Sequence, residues 1–139
     1  MMIDIRNEVI SILKANFPNH KLYGEKVTQG LIRPCFFIDL IPIDIVKLSP
    51  NMQERSMIID VQYMSLEDTK LKNLEMAETL GQLFTTIEFG EFKAKVSNER
   101  FDIVDGILHY LFDLDFIVIG KQEEQIDLIG NINLNEEAI

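Results

Sequence analysis

This sequence of 139 residues holds one cysteine, two histidines, four prolines and no tryptophan. Each shortage excludes something. A lone Cys35 rules out an internal disulfide and fits a reducing compartment. With His20 and His109 far apart and no second cysteine, a zinc site has too few ligands. No apolar run nears the roughly 18 to 20 residues of a membrane span. The start, "MMIDIRNEV", lacks both a basic leader and a small-residue cleavage site, so no signal peptide is expected. Basic residues are also scarce, 13 against 23 acidic, for a net charge of −10. Nucleic-acid binders draw affinity from Lys and Arg on phosphates, so that class is disfavoured.

What is present is apolar and regularly spaced. About 47% of residues are hydrophobic, and the length suits one domain. Asp4 caps an expected helix over 5–16, with Ile5, Val9, Ile12, Leu13 and Phe17 as its stripe and Pro18 as its stop. "HKLYGEKVTQG" reads as a short polar strand or a loop. Residues 35–43 alternate loosely, placing Phe36, Ile38 and Leu40 on one face and Phe37, Asp39 and Ile41 on the other. Arg33-Pro34 and Pro42 bracket that run, and proline, having no N–H to donate, is expected to mark both strand ends. "SPNMQERS" reads as a loop before a strand over 55–64, with Met57, Ile59, Val61 and Tyr63 inward.

Ser65 or Asp68 then caps a second helix whose stripe is Leu71, Leu74, Ala77, Leu80, Phe84 and Ile87, with Gly81 inside it. "EFKAKVS" and "RFDIV" form a strand or strand pair. Asp105-Gly106 makes a tight hairpin turn. The strand beyond it puts Leu108, Tyr110, Phe112, Leu114, Phe116 and Val118 on the core face, with His109, Asp113 and Asp115 behind. Strands running consecutively between two helices predict an α+β fold: a mainly antiparallel sheet of five or six strands with two helices on one face. Residues 1–119 form this domain. Residues 120–139 form an acidic extension, one lysine against five acids from 121 onward, and a candidate assembly arm.

Sites with chemistry are sparse. There is no phosphate-binding glycine loop, no dinucleotide turn and no His-Glu-x-x-His pair. Glu91-Phe92-Lys93 with Asp60 loosely imitates a Mg²⁺ nuclease, though Glu-x-Lys is common by chance on exposed strands. Asp113 and Asp115, about 7 Å apart as i,i+2 strand neighbours, could pair for catalysis. Carboxylates of this kind more often form a solvated face or meet a cation on the next strand. Cys35 needs a nearby base to act as a nucleophile and reads as a small core residue. No enzyme and no cofactor is expected.

"GLIRPCFFIDLIPI" resembles a segment of the tail terminators of contractile-tailed phages, prophages and phage-tail-like bacteriocins. "MIDIRNEVISILKANFP", "NLEMAETLGQLF" and "RFDIVDGILHYLFDLDF" agree with it in order, so the similarity runs from about Met2 to Ile119. The resemblance implies a structural subunit that forms a ring, expected as a hexamer, on the last ring of the tail tube. That ring stops tube polymerisation and offers a surface to the head connector. Implied partners are further copies of the chain, the tube protein, the sheath and the connector; no membrane is involved. DNA would pass the lumen without specific binding. The implied location is the host cytoplasm during assembly, then the tail of a virion or tail-like particle. Arg33, Asp39, Arg55, Asp113 and Asp115 are candidates for subunit boundaries or the lumen. The alternatives are another neck or head–tail joining protein, an acidic inhibitor that mimics DNA, and the Mg²⁺ nuclease.

Overall fold

The computed structural model describes residues 1–24, 30–67 and 70–120. Along the chain run α1 (Met2–Asn16), β1 (Lys21–Tyr23), β2 (Cys35–Ser49), β3 (Met52–Met64), α2 (Lys70–Leu83), β4 (Thr86–Phe89), β5 (Phe92–Val104) and β6 (Ile107–Ile119). The strands form one six-stranded sheet in the order β1-β2-β3-β6-β5-β4. Every pairing is antiparallel except β1 with β2, so the expected α+β class is observed with one parallel pair.

The core lies between one sheet face and the two helices. Ile5, Val9 and Leu13 recur every fourth residue along α1, and all three are buried. They meet Phe36, Met57, Ile59, Val61, Tyr110, Phe112 and Leu114, which alternate inward from β2, β3 and β6. Each such side chain contributes about 1.5–3 kcal/mol on leaving water. α1 touches both β2 and β4, strands from opposite margins of the sheet, so the sheet curls around it as a half-barrel. α1 starts earlier than Asp4: Met1 is the N-cap, and the terminal ammonium lies 3.2 Å from the Asp4 carboxylate within the first turn. The helix stops where Phe17, the residue before Pro18, leaves helical geometry.

The structure corrects three other expectations. β2 does not end at Pro42 but continues to Ser49, with register shifts between Pro42 and Asp44 and between Lys47 and Ser49. Proline is tolerated because β1 pairs β2 only at Cys35–Phe37, so Pro42 owes no ladder bond on the outer side. For the same reason β2 is a central strand only at its start. "SPNMQERS" is not a loop: Pro50 and Asn51 turn directly from β2 into β3.

The α2 stripe is also out of phase. Its buried residues are Asn73, Met76 and Leu80, while Leu71 and Leu74 face solvent at 66% and 50% exposure. Asn73 turns inward because its Nδ2 donates to the Gly106 carbonyl at 3.1 Å, which ties the helix to the β5–β6 turn. Phe84 and Ile87 are buried, but beyond the helix, with Ile87 in β4. Ser65 is buried, and the capping alternative Asp68 lies outside the described residues.

Asp105-Gly106 does make the tight hairpin turn, with φ of 51° and 78°. "EFKAKVS" and "RFDIV" prove to belong to a single strand, β5, bulged between Ser97 and Arg100 around Asn98, whose φ is 52°. Within the bulge, Glu99 accepts a 2.5 Å hydrogen bond from the buried Tyr110 hydroxyl. Burial, then that bond, raises the Tyr110 pKa far above its ordinary value.

Candidate assembly surface

From Ile41 onward β2 has lost its helical cover, and every residue to Ser49 is exposed. Ile41, Ile43, Ile45, Val46 and Leu48 lie here at 38–53% exposure, and Ile117 and Ile119 of β6 extend the patch two strands away. Among the described residues nothing pairs with the outer edge of β2 after Phe37. An isolated exposed leucine is ordinary, but this many β-branched residues on a long open edge are not. The tip is nonetheless ordered by short contacts: Ser49 Oγ donates to Asn51 Oδ1 at 2.9 Å, and the Gly120 N–H donates to the Asn51 carbonyl at 2.7 Å.

The sheet face turned away from the helices is acidic. The registers align Asp39–Asp60–Leu111–Arg100 in one row, Ile41–Ile58–Asp113–Ser97 in the next, and Asp44–Ser56–Asp115 beyond it. With Glu54, six carboxylates occupy the outward positions of β2, β3 and β6, where no lysine or arginine stands. Basic side chains enter this face from β5, and Arg100 makes the closest match. Its Nη1 donates to Asp113 at 3.1 Å, and Asn98 Nδ2 donates to the same carboxylate at 3.0 Å.

Of the five candidate residues, the structure groups three. Asp39, Asp113 and Asp115 share the outer face. Asp113 is satisfied by Arg100 and Asn98, and Asp115 is exposed opposite Ser56; this is the cross-strand, solvated arrangement rather than a catalytic pair. Arg33 stands apart at the mouth of β2, exposed, donating from Nη1 to the Ser65 carbonyl at 3.4 Å. Arg55 faces the helix side beside Ile45 and Phe116, and its guanidinium donates to Gln53 Oε1 at 3.3 and 3.4 Å. Neither arginine meets an acid within the described part of its own chain.

One pair has no signature in the sequence. His109 Nδ1 sits 3.2 Å from both oxygens of Asp60, a residue only 7% exposed, and Gln62 Nε2 donates to Asp60 Oδ2 at 3.2 Å. These two residues are 49 apart in the chain, and strand register alone makes them neighbours. Among the described residues, the pair's hydrogen-bond partners are each other and Gln62. Cys35 lies on the adjacent strand β2 but level with Met64, four residues beyond Asp60, and is buried, with its pKa raised by burial against a smaller lowering by Arg33. Glu91 sits in the β4–β5 turn, away from Asp60 in the middle of β3. Among the described residues no three His, Cys, Asp or Glu side chains gather as a metal site, and no helix is long and apolar enough to cross a membrane.

The family model of the phage tail terminator protein matches residues 4–126. Among curated proteins, none matches the sequence. One solved structure aligns over 86% of this chain and 92% of its own, with 14% identity and a TM-score of 0.48.

Proposed function

Because the chain belongs to the phage tail terminator protein family, whose members are structural proteins of phage tails, we propose that it forms a ring on the end of the tail tube. The ring, a hexamer in this reading, stops tube polymerisation and presents a docking surface to the head connector. The tail is of the contractile kind, with the sheath as a further neighbour. Assembly takes place in the host cytoplasm before the ring becomes part of the virion tail or tail-like particle.

The bare end of the β2–β3 hairpin is the observation that carries this reading. Its open edge and exposed isoleucines resemble half of an interface rather than a finished surface. Head-to-tail contacts that close by rotation make rings, and they need two unlike patches on each subunit. The hairpin supplies one. The acidic outer face supports the same reading, since carboxylates lining a channel repel phosphates and let DNA slide without sticking.

The test is to add the purified chain to polymerising tube protein and to image the products by negative stain. Tubes capped at one end by a ring, with growth arrested, are expected. Ile45→Asp should leave the subunit folded and abolish capping. Tubes that lengthen unchecked in the presence of folded protein would refute the role.

A further inference from the structure

A second open edge lies on the other margin of the molecule. β4 pairs β5 only at Phe92–Lys95, so among the described residues the outer edge of β5 from Arg100 to Val104 has no strand beside it. α2 runs along this segment on the helix side, leaving a groove of about 370 Å³ lined by Asn73, Leu74, Ala77, Phe101, Ile103 and Leu108. Leu74, Phe101 and Ile103 stay 42–50% exposed at its rim. Asn73 is buried, with 2% exposure, and its Nδ2 is engaged by Gly106 while its Oδ1 has no hydrogen-bond partner. A buried amide oxygen without a donor is left with its desolvation penalty unrepaid, which favours a donor brought in from outside. An open strand edge beside a helix, an apolar channel and a waiting acceptor together form the geometry in which an extended segment adds as a further strand.

The chain carries such a segment itself. Residues 121–139 follow β6, and their most apolar stretch is Ile126-Asp127-Leu128-Ile129. In a strand, Ile126 and Leu128 fall on one face, the spacing of Phe101 and Ile103 across the groove, with Asp127 turned to water. We infer that the segment around Ile126–Ile129 of one subunit docks as an added strand in the α2–β5 groove of the neighbouring subunit.

The same subunit is excluded by reach. β6 leaves the fold at Ile119, and the groove lies at Leu108, at the far end of that strand, about 36 Å away at 3.3 Å per residue. Six residues from Gly120 to Ile126 extend at most about 20 Å. A neighbour set head-to-tail brings its groove within range. This arrangement deepens the ring reading and rests on it, and each subunit would then give a strand on one side and accept one on the other.

The contact is tested with the full-length chain. A fluorescent peptide of residues 122–131 is titrated into protein carrying Leu128→Asp, whose own segment no longer competes. Saturable binding is expected, weakened roughly tenfold or more by Ile103→Glu, a change at a 42%-exposed position that leaves the core untouched. Absent binding, or binding indifferent to Ile103→Glu, overturns the inference. Copies with Ile103→Cys and copies with Leu128→Cys are then mixed and oxidised on capped tubes. Disulfides between the two kinds of copy are expected; capped tubes that yield none between them would overturn the assignment to a neighbour. Tubes capped normally by Leu128→Asp would also sink the strand exchange while leaving the ring reading intact.

Discussion

The two ends of β2 meet different surroundings. Cys35, Phe36, Phe37 and Ile38 are buried, whereas the nine residues from Ile41 to Ser49 are all exposed, although both stretches are apolar. The first end lies under α1 and beside β1; the second has β3 on one side and nothing described on the other. Apolar side chains thus serve folding at one end and are left over at the other. What separates them is cover, and leftover apolar surface is what an assembling subunit has to offer.

That contrast can be broken or sharpened by substitution, starting with the largest effect. Phe36→Ala removes a fully buried ring that packs against Phe17 and Tyr63. It should cost about 3–5 kcal/mol in urea unfolding, and a loss under about 1 kcal/mol would show that the covered end does not belong to the folding core. Gly106→Ala forces a side chain onto a φ of 78° in the turn that α2 grips through Asn73. A loss of about 1–2 kcal/mol is expected. Gly81→Ala has the opposite sign: the added methyl meets Phe101 Cζ at 3.7 Å, an ordinary contact, and the helix gains up to about 1 kcal/mol. A loss there would mean that α2 and β5 pack more tightly than this distance implies.

His20 tests the covered end by pH. Burial lowers its pKa from 6.5, among the rings of Phe17, Phe36 and Tyr63. The unfolded chain then binds a proton that the folded chain refuses, so stability is full above pH 6.5 and falls as pH drops through 6.5 toward the folded value. His20→Phe should flatten that part of a stability profile; an unchanged slope would assign the acid sensitivity elsewhere. The smallest stability effect belongs to the bare end. Ile45→Ser should change unfolding free energy by no more than about 0.5 kcal/mol while impairing capping of tubes, and a large loss would mark the hairpin tip as part of the folding core.

Much of the fold was legible before the structure. Ile5, Val9 and Leu13, the alternation from Leu108 to Phe116 and the Asp105-Gly106 turn all follow from periodicity and left-handed turn preference. The errors share a cause. Pro42 escapes a sequence reading because its effect depends on whether a neighbouring strand needs an N–H at that position, and Leu71 and Leu74 because an amphipathic pattern does not tell which apolar residues will find a partner. Asp39, Asp113 and Asp115 were placed on the correct face by alternation, whereas the boundary roles sketched for Arg33 and Arg55 rest on contacts outside a single chain.

By itself the sequence determined the local elements, the α+β class and the family to which the chain belongs, because helix and strand periods are written in adjacent residues. Tertiary structure alone decided that β2 would run past its proline, that His109 would meet Asp60, and that two strand edges and a groove would stay open among the described residues. Those outcomes depend on register and on which element covers which, and such pairings between distant residues leave no periodic trace in the chain.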